Sequence, residues 1–239
     1  MRNFRKFVAV ASTGALTLSL LVAGALPSSA ASRTTEQEVA NAATLEMSVP
    51  EYKSMRELAE KGQVELWANG KKFLPNSEDS WPQSIRNLPI GKTSLYQAKT
   101  WGACGVKSAN NKHVRTWYVN KTPYARLAAV LNCGTWTPKN PNGGWGYRHI
   151  AGKHGGEWKQ LAAQVAFNTN WRDIADFAIN DGLTNIYSGA RNPANNTFRY
   201  KGKIELKRYD GRTIKTYYTT VAVDQRDRRI ITAYYRSKK

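Results

Sequence analysis

The chain has 239 residues, 36 Lys and Arg against 17 Asp and Glu, and a formal net charge of +19. That length allows one or two domains with a full hydrophobic core, and 41% hydrophobic residues with 11% aromatics exclude a wholly disordered chain. A mean hydropathy of −0.58 with one long apolar run excludes a multi-span membrane protein, and the charge calls for a polyanionic partner: nucleic acid, an anionic surface or an acidic protein.

The apolar run lies at the N-terminus and reads as an export signal. Arg2, Arg5 and Lys6 form a basic start, Phe7 to Leu26 is apolar and small, and Pro27 to Ala31 offers small residues for cleavage. Residues 1–31 are therefore expected to be removed, leaving a secreted chain with no membrane span. Residues 32–91 carry a net charge of −2 and read as a leader or linker, with a short helix from Pro50 to Gly62 capped by Ser48. Residues 69–92 are rich in Gly, Pro, Asn and Ser and read as connecting chain. Residues 92–239 carry +18 and are expected to form the basic working domain, a monomer.

In that domain Thr116–Val119 is short and apolar, and Tyr124–Leu131 reads as a helix leading into Cys133. Thr137–Gly146 is a turn-rich loop. Apolar residues at Trp158, Leu161, Ala162, Val165 and Ala166 predict an amphipathic helix over Trp158–Phe167. Asn170 is placed to cap a second helix, Trp171–Ile179, ended by Asp181-Gly182. The period then changes to two. Thr197–Tyr209, Arg212–Val223 and Arg229–Arg236 read as strands, with Asp210-Gly211 as a hairpin turn. The expected fold class is α+β: helices followed by a twisted antiparallel meander, behind a variable leader.

Two cysteines remain after export, Cys104 and Cys133, and an oxidising compartment predicts one disulfide between them. Two buried free thiols are the alternative. Neither cysteine nor histidine spacing forms a zinc signature, and no cofactor or metal is expected.

Two of the three histidines fall in Gly146–Gly155, with Arg148, His149, Lys153 and His154 inside seven residues. Metal-free RNA cleavage needs a base for the 2′-hydroxyl, an acid for the leaving 5′-oxygen and cations for the phosphate. These four residues supply all three kinds of group. On a regular helix residues five apart point about 140° apart, so the two histidines converge only if the helix is interrupted near Gly152 or Gly155. A structural role for the same histidines, as caps or buried partners, is the competing reading.

His149-Ile150-Ala151-Gly152-Lys153-His154, then helices, then strands ending in Ile231-Thr232-Ala233-Tyr234, resembles the C-terminal toxin domains of bacterial competition systems. Those belong to the broad superfamily of barnase, EndoU, colicin D and RelE, and the resemblance covers about residues 140–239. It implies metal-independent RNA cleavage leaving a 2′,3′-cyclic phosphate, and an acidic immunity protein as partner. It also implies His149 and His154 in acid–base roles, with Lys153 and Thr232 or Tyr234 on phosphate. Arg148 and Arg191 are further phosphate candidates. This sequence departs from the family's pattern in its ordinary export signal, which replaces a giant delivery protein. Alternation in the last strand puts Ile230, Thr232 and Tyr234 on one face and the more apolar Ile231, Ala233 and Tyr235 on the other.

Two rival readings stand beside this one. Glu205-Leu206-Lys207 has the form of a metal-dependent DNase motif, with Asp176 and Asp181 as possible Mg²⁺ ligands. Alternatively, the basic residues and Trp101, Trp117, Trp136, Trp145, Trp158 and Trp171 bind polyanions or cell-wall polymers without catalysis. Most of those tryptophans are expected in the core.

Overall fold

The protein was analysed as a computed structural model that describes residues 40, 48–61, 63–75, 95–122, 125–165 and 170–238. The export signal over 1–31, the helix stop at Gly62 and most of the connecting stretch before residue 95 lie outside the described residues.

Helix α1 (Val49–Glu60) opens with a complete capping box: Glu51 N–H donates to Ser48 Oγ, and Ser48 N–H donates back to the Glu51 carboxylate. Burial is one-sided in β1 (Val64–Ala68), where Val64, Leu66 and Ala68 are buried and the residues between them are half-exposed. A turn at Asn69-Gly70 with positive φ at both residues returns the chain as β2 (Lys71–Leu74). β3 (Leu95–Gln97) then pairs parallel with β2.

Next come the ribbon β4 (His113–Thr122) and β5 (Ala125–Asn132), and the hairpin β6 (Thr135–Thr137) and β7 (Asn140–Trp145). The helical segment has three parts: α2 (Gly146–His149), a π-helical turn over Ile150–His154, and α3 (Gly155–Ala162). α4 (Trp171–Thr184) starts at the predicted cap, where Asn170 Oδ1 accepts from Arg172 N–H. β8 (Ser188–Asn192), β9 (Thr197–Arg208), β10 (Thr213–Asp224) and β11 (Ile230–Arg236) complete the chain.

The protein is mixed α/β and dominated by strands. Among the described residues the main sheet runs β11-β10-β9-β1-β2-β3, with β8 also on β9. β9 to β11 form the antiparallel meander, but they make up only part of this sheet, and among the described residues seven strands precede α2. α4 covers the even-numbered face of β9, where Tyr200, Ile204 and Leu206 are buried. The approach is close enough to require glycine: a Cβ on Gly202 would lie 2.7 Å from Gly182 Cα. Trp158 of α3 is fully buried and donates its indole N–H to Ala233 O on β11 at 3.2 Å.

Three expectations need correction. Residues 125–132 form strand β5, because the short apolar run Leu127–Leu131 fits either state and pairing with β4 decides it. Asp181-Gly182 does not end α4, which continues to Thr184. The boundary expected at residue 91 does not divide the fold. β1 pairs with β9 from Val64↔Arg208 to Trp67↔Glu205, so part of the supposed leader belongs to the sheet of the basic domain. Net charge separates the two segments; buried apolar surface joins them. Among the described residues no helix is long and apolar enough to cross a membrane.

Candidate active site

The histidine segment is shaped from both ends. Before it, the β6–β7 hairpin presents the Gly143 carbonyl and the Asn142 side chain. Within it, the backbone widens from α to π hydrogen bonding at Ile150. In an i→i+5 turn a residue and the fifth after it lie one turn apart on one face, and such turns are frequent at functional sites. The interruption needed to bring His149 and His154 together is thus a widened turn, not a frayed one. Their ring centroids are 5.8 Å apart. Gly152 permits the wide turn to lie against the hairpin: a Cβ there would sit 2.2 Å from Cε3 of Trp136.

Both histidines are buried, each 4% exposed, and both line an open cleft of about 470 Å³. His149 Nδ1 lies 2.8 Å from Gly143 O, so Nδ1 carries the proton and Nε2 is left with its lone pair. Burial, reinforced by the charges of His154 and Lys153, lowers the His149 pKa below the ordinary 6.5, against a raising effect of the Gly143 bond. His149 is therefore biased toward its neutral form, with its tautomer set by the Gly143 carbonyl.

His154 Nδ1 meets Glu157 Oε2 at 3.2 Å, one helical turn on, so that its other ring nitrogen, Nε2, is not the one that bonds this carboxylate. Burial disfavours the Glu157 carboxylate, but the bonds from His154 and Arg236 outweigh it and hold the pKa below the usual value. Arg236 Nη1 donates to the same Oε2 at 3.0 Å. The His154 ring stacks on Tyr234 at 5.1 Å, and the Arg236 guanidinium lies 5.0 Å from the centre of the same tyrosine ring.

The sheet closes the other side. Thr232 and Tyr234 of β11 line the cleft, while Ala233 and Tyr235 are buried in the core. A bulge corrects the alternation at the strand start. Ala222 pairs with Thr232 and Val223 with Ile230, so Ile231 is the extra residue; Ile230 turns into the core and Ile231 lines the cleft. Thr232 Oγ1 is shielded from solvent with no hydrogen-bond partner among the described residues.

The cleft gathers five of the seven expected acid–base and phosphate residues: His149, His154, Lys153, Thr232 and Tyr234. Lys153 Nζ donates to Asn142 Oδ1 at 2.8 Å at the rim. Arg148 is a correction. Its guanidinium turns away from the cleft and donates to Gly134 O, Gly105 O, Ser108 O and Asn110 Oδ1 at 2.6–2.9 Å, holding the 105–110 loop. Arg191 is the other correction: it stands exposed on β8, outside the cleft, and bonds Asn196.

The sequence reading did not single out Arg199 and Arg236, which also line the cleft, or Glu157, which bonds His154 and Arg236 beside it. Arg236 continues the alternation Thr232, Tyr234, Arg236, and Glu157 stands three residues past His154 on a helix, so both signals were present.

Cys104 and Cys133 form the expected disulfide, with Cα atoms 5.6 Å apart, on the strand end that precedes the hairpin. The carboxylates of the DNase reading are otherwise engaged. Asp176 is fully buried and accepts from Tyr96 OH, Lys99 N–H, Trp101 Nε1 and Arg115 Nε, a structural hub. Glu205 pairs with Lys203 and Lys207, and Asp181 accepts from Lys203 N–H and Asn185. Of the six tryptophans named for polymer binding, Trp101, Trp117 and Trp158 are buried.

No known protein family profile matches the chain, and no solved structure matches it. It is similar to two curated proteins of Mycobacterium tuberculosis, strains CDC 1551 / Oshkosh and ATCC 25618 / H37Rv, both titled uncharacterized. Each is 32% identical over 169 residues, which is 68% of this chain and 57% of the relative. The chain therefore spans little more than half the length of the curated relatives it matches.

Proposed function

We propose that the protein is a metal-independent endoribonuclease that cleaves RNA by attack of the 2′-hydroxyl on its own phosphodiester. The observation that carries this reading is the paired histidines, 5.8 Å apart in one cationic cleft, with different partners on their Nδ1 atoms. A carbonyl on one ring and a carboxylate on the other suit them to opposite proton transfers.

In this scheme His149 Nε2 takes the 2′-hydroxyl proton as O2′ bonds to phosphorus. The P–O5′ bond breaks, and His154 gives its Nε2 proton to the departing 5′-oxygen, with Glu157 as counter-charge at Nδ1. The products are a 2′,3′-cyclic phosphate and a 5′-hydroxyl. Lys153 and Arg199 hold the non-bridging oxygens, on which charge grows, and Thr232 Oγ1 donates to one of them. Tyr234 keeps the His154 ring in plane by stacking. The proposal includes export, as expected from residues 1–31, toxicity toward a competing cell, and an acidic protein that shields the producer.

The test is cleavage of an RNA oligonucleotide in excess EDTA, with product ends identified by mass spectrometry. Cyclic phosphate ends that disappear in His149→Ala support the reading. Activity abolished by EDTA and restored by Mg²⁺ overturns it. Retardation of RNA that is never shortened favours the polyanion-binding reading.

A further inference from the structure

The cleft does not end at the histidines. On the cleft face of the sheet, cross-strand register continues the cationic surface along β9. Lys201 faces Thr220, which faces Tyr234; Lys203 faces Tyr218, which faces Arg236. Tyr234 and Arg236 are themselves cleft residues, so the two rows share an edge with the site. Directly opposed side chains lie about 5 Å apart at Cβ, and the rows form one surface.

Spacing and chemistry both suit a single nucleic-acid strand. Arg199, Lys201 and Lys203 alternate along β9, about 6.6 Å apart in pairs, close to the phosphate-to-phosphate step of an extended single strand. At the far end Tyr187 and Tyr218 bring their rings within 5.5 Å, and Tyr187 is 46% exposed. Tyr187 is anchored there by its backbone N–H, which donates to Lys201 O at 2.7 Å. A second cavity of about 240 Å³ opens at this point, lined by Tyr187, Lys203, Asn69, Asn185 and the edge carboxylates Asp181 and Glu205. It has room for one nucleobase, an aromatic wall to stack on, and the Asn69 amide with the Asn185 carbonyl oxygen to bond a base edge, the Asn185 Nδ2 donating to Asp181 and Thr184. Glu205, paired with Lys203 and Lys207, ends the cationic run.

From this we infer a distal nucleotide subsite: RNA leaves the cleft along Lys201 and Lys203 and places a base against Tyr187 and Tyr218, two nucleotide steps from the scissile phosphate. Phosphate-tracking cations with aromatic stacking platforms are the general means of holding single strands. The subsite rests on the ribonuclease reading for its substrate, but its test does not depend on cleavage.

The experiment compares the full protein with Tyr187→Ala/Lys203→Ala and with Lys203→Glu alone, using a hexanucleotide and a dinucleotide of RNA. A 2′-O-methyl hexanucleotide, which cannot react, reports binding separately. The double variant should raise Kd for the 2′-O-methyl hexamer about 10-fold and lower kcat/KM on the RNA hexamer equally. Dinucleotide cleavage should stay within about twofold, and the slope of log K against log salt should flatten by about 0.7. Unchanged hexamer affinity in both variants, or equal losses on hexamer and dinucleotide, overturns the subsite. Normal length-dependent binding by a wild-type protein that cuts nothing refutes the catalytic reading while supporting the subsite.

Discussion

Exchanging the leaving group separates the two histidines. If His154 protonates the 5′-oxygen, its removal should lower kcat on an RNA dinucleotide about 10²- to 10⁴-fold, the usual worth of a positioned acid. Glu157→Gln should do the same more mildly. It keeps the shape but removes the charge that meets His154 Nδ1 at 3.2 Å and Arg236 Nη1 at 3.0 Å. A charge-assisted hydrogen bond of that kind is worth about 1.5 kcal/mol, or about a tenfold loss in rate. The assay is single-turnover cleavage of a uridine 3′-aryl phosphate beside the natural dinucleotide. An aryloxide leaves without a proton, so His154→Ala and Glu157→Gln should approach wild-type rates on it, while His149→Ala stays slow on both. If His149→Ala is the variant restored, the acid and base assignments are reversed. If His154→Ala is equally slow on both substrates, His154 is not the acid.

Other expectations follow from the same geometry. Because the folded His149 pKa is lowered, the acid limb of kcat/KM should fall below pH 6.5, and a limb above 6.5 contradicts the burial argument. By the same linkage, protonation favours the unfolded chain, so His149 subtracts stability as pH falls below the unfolded value of about 6.5; urea titrations of His149→Gln should show a weaker acid loss between pH 7 and 5. A chain beginning at residue 92 should lack cooperative thermal unfolding by circular dichroism. It loses buried Val64, Leu66 and Phe73, each worth about 1.5–3 kcal/mol against a typical total of 5–15; native-like unfolding by that chain contradicts the sheet assignment. Arg148→Ala should lower stability yet leave the salt slope of RNA binding unchanged, because its donors are spent on backbone carbonyls; a flatter slope places it on phosphate. Reducing Cys104–Cys133 should cost about 3–4 kcal/mol by loop entropy, read from urea titrations with and without reductant.

The sequence was most informative where local chemistry and tertiary contacts agree. The caps at Ser48 and Asn170 and the period-two runs after residue 197 are local signals, and the elements stand where those signals put them. β5 was not legible, since Ala125–Asn132 has an apolar pattern that suits helix or strand until β4 lies beside it. Nor was the place of β1, whose partner β9 lies about 140 residues further on, so that no local signal joins them. At the site, the types of residue were readable and their directions were not. The π turn that brings His149 and His154 onto one face depends on packing of Gly152 against Trp136, which spacing alone does not reveal. Arg148 beside His149 had the look of a phosphate ligand; only the loop it ties down shows where its hydrogen bonds go.

In the proposed reaction the substrate's own 2′-hydroxyl attacks, assisted by the two histidines of one cleft. A DNA oligonucleotide with a single internal ribonucleotide tests it most directly, incubated in EDTA and analysed by mass spectrometry. One cut is expected, on the 3′ side of the ribonucleotide, with a 2′,3′-cyclic phosphate on one fragment and a 5′-hydroxyl on the other. Both products should vanish in His149→Ala. Cleavage between deoxynucleotides, or an intact oligonucleotide under conditions where the protein binds it, would rule out 2′-hydroxyl attack in this cleft.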